Sequence, residues 1–124
     1  MKFSSLMILN TVIALVFGLA FVLVPGTVFN IYGMTPGPDA NLAGQYFGTS
    51  LITIGLLSLL VRNVSDAAAK GAVVLAFLIG DVIGLIVSII GTLGGVMNGV
   101  GWSAVVIYLV LALGFAYFQF MKPA

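Results

Sequence analysis

The sequence has no cysteine, no histidine and no glutamate, and only 6% of its 124 residues are charged. Without cysteine there is no disulfide, no thiol nucleophile and no iron–sulfur ligation. Without histidine most zinc sites, the usual haem ligands and every histidine-based triad are gone. The five methionines are scattered and make no copper site. A net charge of +1 gives no basic field, so nucleic acid is not an expected partner. A soluble domain carries roughly a quarter charged residues, and a water-facing surface cannot be built from this composition. What chemistry remains rests on three aspartates, hydroxyls and amides. The expectation is therefore a protein that is not an enzyme and has no cofactor and no metal.

What fills the chain instead is apolar, 62% of it. A helix needs about 20 apolar residues to cross the hydrocarbon, and four segments qualify, at about 5–24, 42–61, 71–93 and 102–121. The fold class expected is all-α, a single domain over 1–124. Its architecture is an antiparallel four-helix transmembrane bundle with the lipid bilayer as solvent. Lys2 precedes span one, Arg62 and Lys70 flank the second loop and Lys122 follows span four, while loops one and three carry no basic residue. Positive residues stay on the cytoplasmic side, so both termini are expected in the cytoplasm of a multi-pass cell-membrane protein. The same bias argues against a dual-topology protein.

The connections are short. Pro25 and Gly26 stop span one, and Ser65 or Asp66 offers an N-cap for span three. A glycine-rich turn precedes span four. In the first loop Val28, Phe29, Ile31 and Tyr32 read as a short interfacial helix, Pro36-Gly37-Pro38 as a turn, and Asp39 and Asn41 as caps of span two. That loop is either a lid or docking surface or a plain connection between helix ends. The Asn63-Val64-Ser65 sequon lies in the expected cytoplasmic loop and is set aside.

One residue breaks the pattern. Asp81 stands alone in "LIGDVIGLI" (78–86), with no other charge between Gly71 and Trp102. On a helical wheel it falls in an arc of about 120° with Gly80, Gly84, Phe77, Gly91, Ser88 and Thr92, opposite the branched aliphatics. That arc suits close helix packing, and the aliphatic remainder suits lipid. Other packing faces are Asn10, Thr11, Ala14 and Gly18 in span one, Gly44, Gly48 and Gly55 with Gln45 in span two, and Ala104, Tyr108 and Ala112 in span four. Counting 1.5 Å per residue from the basic anchors places Asp81 at a depth of ~16 Å in a core about 30 Å thick, Asn10 at ~12 Å, Thr53 at ~13 Å and Tyr108 at ~21 Å. A polar cluster of Asp81 with Asn10, Tyr108 and Thr53 is thus expected. An unpaired carboxylate there is very costly, so Asp81 is expected to be a neutral acid or to meet a basic group from a partner or ligand. Either it serves as a proton, ion, ligand or partner site, or it ties helices together by hydrogen bonds worth about 1 kcal/mol each.

The layout of four helices, with "VPG" (24–26) after span one and "GQYFGTSLITIGLL" (44–57) opening span two, resembles the DoxX-like group of small membrane proteins. That resemblance implies the four-helix architecture. Members often carry arginine near the start of span two and after the glycine in span three, where this chain has Gln45 and Asp81, so no functional residue carries over. Three functional expectations follow. The first is a non-enzymatic accessory or scaffold subunit of a larger membrane complex, or a binder of a hydrophobic ligand. The second is a small proton-coupled transporter or channel, working as a homo-oligomer with Asp81 as its proton site. The third is an enzyme acting on lipid or quinone with Asp81 as acid.

Overall fold

The computed structural model describes residues 1–121; Lys122, counted above among the basic anchors, lies outside the described residues. Five α-helices form, α1 (Phe3–Leu23), α2 (Pro25–Ile31), α3 (Pro38–Val61), α4 (Ala67–Leu93) and α5 (Gly101–Ala116), and α5 runs on into a π-helical turn, Tyr117–Met121. No strand occurs among the described residues. Four stretches are long and apolar enough to cross a membrane: Phe3–Leu23, Pro38–Val61, Ala67–Leu93 and Gly101–Met121. This is the pattern of a multi-pass membrane protein. The shortest two, 21 residues each, reach ~31 Å at the α-helical rise and match the hydrocarbon thickness.

The helix starts lie up to a turn earlier than apolar runs alone suggest, because Asp39 and Asn41 in α3 and Lys70 in α4 interrupt the apolar run inside the first helical turn. Asp66 is the N-cap of α4, its carboxylate accepting from the Ala69 N–H at 3.2 Å. At α3 the sequence reading needs correction. The N-cap is Gly37 and Pro38 opens the helix, so Asp39 and Asn41 sit within the first turn and cap nothing. Proline suits that position because it has no N–H to satisfy, and Asp39 still meets the positive end of the helix dipole. Pro25 does the same for α2. That helix ends at Ile31 with Tyr32 as its C-cap, and just beyond it Gly33, with a positive φ of 72°, lets the Met34 N–H reach back to the Phe29 carbonyl at 2.8 Å.

The chain divides into two compact units, Met1–Arg62 and Asn63–Ala124. In the first, α1 and α3 pack as an antiparallel pair, with Val22 against Gln45, Gly18 against Gly48, Thr11 against Gly55 and Asn10 against Ser58. The helices touch backbone to backbone. A Cβ on Gly48 would stand 2.6 Å from the Gly18 carbonyl oxygen, and one on Gly18 would stand 3.0 Å from the Gly48 carbonyl oxygen. Small residues permit this approach, which lipid-embedded helices use in place of a hydrophobic drive. Helix α2 folds back onto the pair. Val28 is buried, and Phe29 makes an edge contact with Phe21 at 5.8 Å and covers Gly44.

In the second unit α4 and α5 pair in the same sense, with Phe77 on Phe115 at a ring separation of 5.2 Å, Gly84 beneath the Tyr108 ring and Thr92 beside Gly101. Val74, Ser88, Leu111, Ala112, Phe115 and Phe118 are its buried residues of largest consequence. The opposite side of α4 presents Ile79, Val82, Ile83, Ile86, Val87 and Ile90 outward, a surface suited to lipid.

Candidate functional site

Helix α4 carries its covered residues at spacings of three and four: Val74, Phe77, Asp81, Gly84, Ser88 and Thr92 are all buried or half-buried. Spacing of that kind puts them on one side of the helix. The contacts above fix the register against α5. Asp81 falls between the level where Phe77 meets Phe115 and the level where Gly84 meets Tyr108. Opposite it on α5 are therefore Leu111 and Ala112, both buried and apolar. Oδ2 of Asp81 is buried and has no hydrogen-bond partner among the described residues. A polar atom buried without a partner costs about 1–3 kcal/mol in proteins generally, more when charged, and an ionisable residue inside a membrane span is a functional candidate for that reason.

The four residues expected to cluster have different surroundings. Asn10 is buried and donates through Nδ2 to Ser58 Oγ at 2.7 Å. Thr53 lies on the exposed side of α3, its hydroxyl donating to the Thr49 carbonyl one turn earlier at 3.2 Å. Tyr108 is half-buried with its ring over Gly84. Asp81 Oδ2 accepts from none of them. Of the glycines read as packing positions, Gly44 and Gly48 are buried in the α1–α3 seam and Gly84 is closed by Tyr108, while Gly80 is exposed and a Cβ built there meets nothing within 4 Å. Ser88 is buried, and its carbonyl accepts the Thr92 hydroxyl at 2.7 Å.

The first unit is by contrast well supplied. Besides Asn10 and Ser58, Thr11 Oγ1 donates both to Met7 O at 2.8 Å and to Gly55 O at 3.2 Å. Gln45 Nε2 donates to Val22 O at 3.1 Å. These are three ties between α1 and α3 at three depths. Sequence reasoning passed over Ser58 here. Its position three residues after Gly55, on the same face, is the signal that would have found it. Asn41, read from the sequence as a cap of span two, instead has its Oδ1 buried without a partner among the described residues, near Gly26 in the first turn of α2.

Among the described residues no group of three histidine, cysteine, aspartate or glutamate side chains could hold a metal ion. A lone carboxyl bordered by apolar side chains can take or give up a proton, accept a hydrogen bond, or pair with a cation brought to it. No known protein family, curated protein or solved structure matches the chain.

Proposed function

We propose that this is a small non-enzymatic accessory or scaffold subunit of a larger cell-membrane complex. In this reading the helices close into an antiparallel four-helix bundle, as the DoxX-like outline implies, with both termini cytoplasmic. The orientation follows from the basic residues, Lys2, Arg62, Lys70 and Lys122, which border the first, second, third and fourth spans on one side. The observation that carries the function is Asp81 Oδ2, buried on an apolar helix and given no donor by the described residues. A buried acceptor left open within the protein supports completion by something else, either another subunit or a bound hydrophobic molecule with a polar group.

The same half-buried acid supports a second reading, a proton site in a homo-oligomeric transporter or channel. Native mass spectrometry separates the two. Wild type and Asp81→Asn are purified in mild detergent from the membranes of the producing cell. A larger assembly or bound molecule present in wild type and lost in Asp81→Asn supports the accessory reading. A bare homo-oligomer unchanged by the substitution removes it and leaves proton flux in liposomes as the deciding measurement.

A further inference from the structure

We infer that Asp81 is the docking point for a partner's membrane-spanning helix that carries one basic residue, arginine or lysine, near its middle. This rests on the accessory reading above and names the chemistry of the partner. Three observations carry it. Oδ2 of Asp81 is buried without a donor among the described residues, and the α5 side chains at its level, Leu111 and Ala112, have none to offer. The residue remains half-exposed, and beside it Gly80 is exposed with open space where a side chain would be. A neighbouring helix can therefore come close to α4 at Gly80, the residue next to Asp81, as small residues allow. Finally, the chain holds no base of its own at this depth. Its four basic residues are Lys2, Arg62, Lys70 and Lys122, and Lys70, on the same helix, is ~16 Å away along the axis. A second copy would bring the same four residues at the same depths, so self-association supplies no base either. Ionisable residues inside the membrane are rare and pair with one another, and the charged complement of a lone acid is a lone base. The branched face of α4, with Ile79, Ile83 and Ile86 outward, is left to lipid.

The test uses a designed probe. Leucine–alanine peptides of about 22 residues, with identical lysine flanks, carry arginine, glutamine or leucine at the centre. They are reconstituted in phosphatidylcholine vesicles with the full chain labelled through Ser65→Cys, and association is read by resonance energy transfer. Wild type is expected to bind the arginine peptide about tenfold more tightly than the leucine peptide. Asp81→Asn is expected to lose that preference, and Asp81→Glu, which keeps the carboxyl, to retain it. Circular dichroism on each variant checks that helix content is unchanged. Equal binding of arginine and leucine peptides by wild type overturns the proposal, as does an arginine preference that survives in Asp81→Asn. If wild type shows no arginine preference while its native assembly still depends on Asp81, the partner is not basic and only the accessory reading survives. If both are missing, both fall.

Discussion

Gly18 and Gly48 bring the backbones of α1 and α3 into contact, each helix occupying the space that a side chain on the other would need. Because the obstacle to a Cβ on Gly48 is a carbonyl oxygen of the facing helix, at 2.6 Å, no rotamer change relieves it. Relief requires the helices to separate along the whole seam, where Thr11, Asn10 and Gln45 make their interhelical bonds.

Gly48→Ala should therefore destabilise the first unit although alanine is the better helix former. Overpacking costs about 1–3 kcal/mol, against a propensity gain of at most about 1 kcal/mol. Gly80→Ala, built into open space, keeps the gain without the cost and is expected to be neutral or slightly stabilising. Unfolding of the two variants in mixed micelles, compared with wild type, checks the difference in sign. If both variants moved in the same direction, close approach would not govern the seam.

Asn10 and Ser58 form a side-chain pair in that seam. Hydrogen bonds between membrane helices average about 0.6 kcal/mol in double-mutant cycles, so the coupling between Asn10→Ala and Ser58→Ala is expected near that value and below about 2 kcal/mol. Asn10→Ala leaves a buried hydroxyl that can fall back on its own helix, as Thr53 and Ser50 already do, which keeps the single loss small. A full cycle of four proteins measures it. A coupling indistinguishable from zero would make Asn10 a packing residue only.

In the second unit the matching test is steric. Any side chain at Gly84 runs into the Tyr108 ring. Gly84→Ala is expected to cost about 1–3 kcal/mol in the wild-type background and close to nothing once Tyr108→Ala has emptied the space. Strong non-additivity of this kind is the mark of residues in contact. Additive losses would place the Tyr108 ring away from Gly84.

The four long helices were legible because an apolar run of about 20 residues has the length of a membrane span and exceeds that of a buried strand or core helix. The short helix α2 was partly legible, since Pro25 both ends one helix and opens the next. Helix starts were less so, because the first turn of α3 carries Asp39 and Asn41 and that of α4 ends on Lys70, which cut the apolar windows short. Partners are a different matter. A helical wheel gives the face a residue shares but not the register of the helix opposite, so it could not choose Ser58 as the acceptor for Asn10, and it grouped Gly80 with Gly84 although only the second is covered. The oddity of Asp81 was plain from its isolation among apolar residues. That its Oδ2 meets no donor depends on α5 placing Leu111 and Ala112 at that level, a fact of register that composition does not contain.

Orientation can be tested with unusual economy, because the chain has no cysteine to remove. Single substitutions Ser65→Cys, Thr35→Cys and Asn98→Cys place one thiol in each connection, between α3 and α4, between α2 and α3, and between α4 and α5. If basic residues hold their side of the membrane, Ser65→Cys next to Arg62 and Lys70 reacts with a membrane-impermeant maleimide only after the membrane is opened. Thr35→Cys and Asn98→Cys react in intact cells. Asn98→Cys also removes the acceptor of the Val100 N–H, so Gly99→Cys serves as a second reporter in that turn, at a position where an added Cβ meets nothing within 4 Å. The reverse labelling pattern would place the termini outside. Labelling of all three thiols in intact cells, with the membrane shown to be sealed, would mean that the chain inserts both ways and that four basic residues are too few to decide.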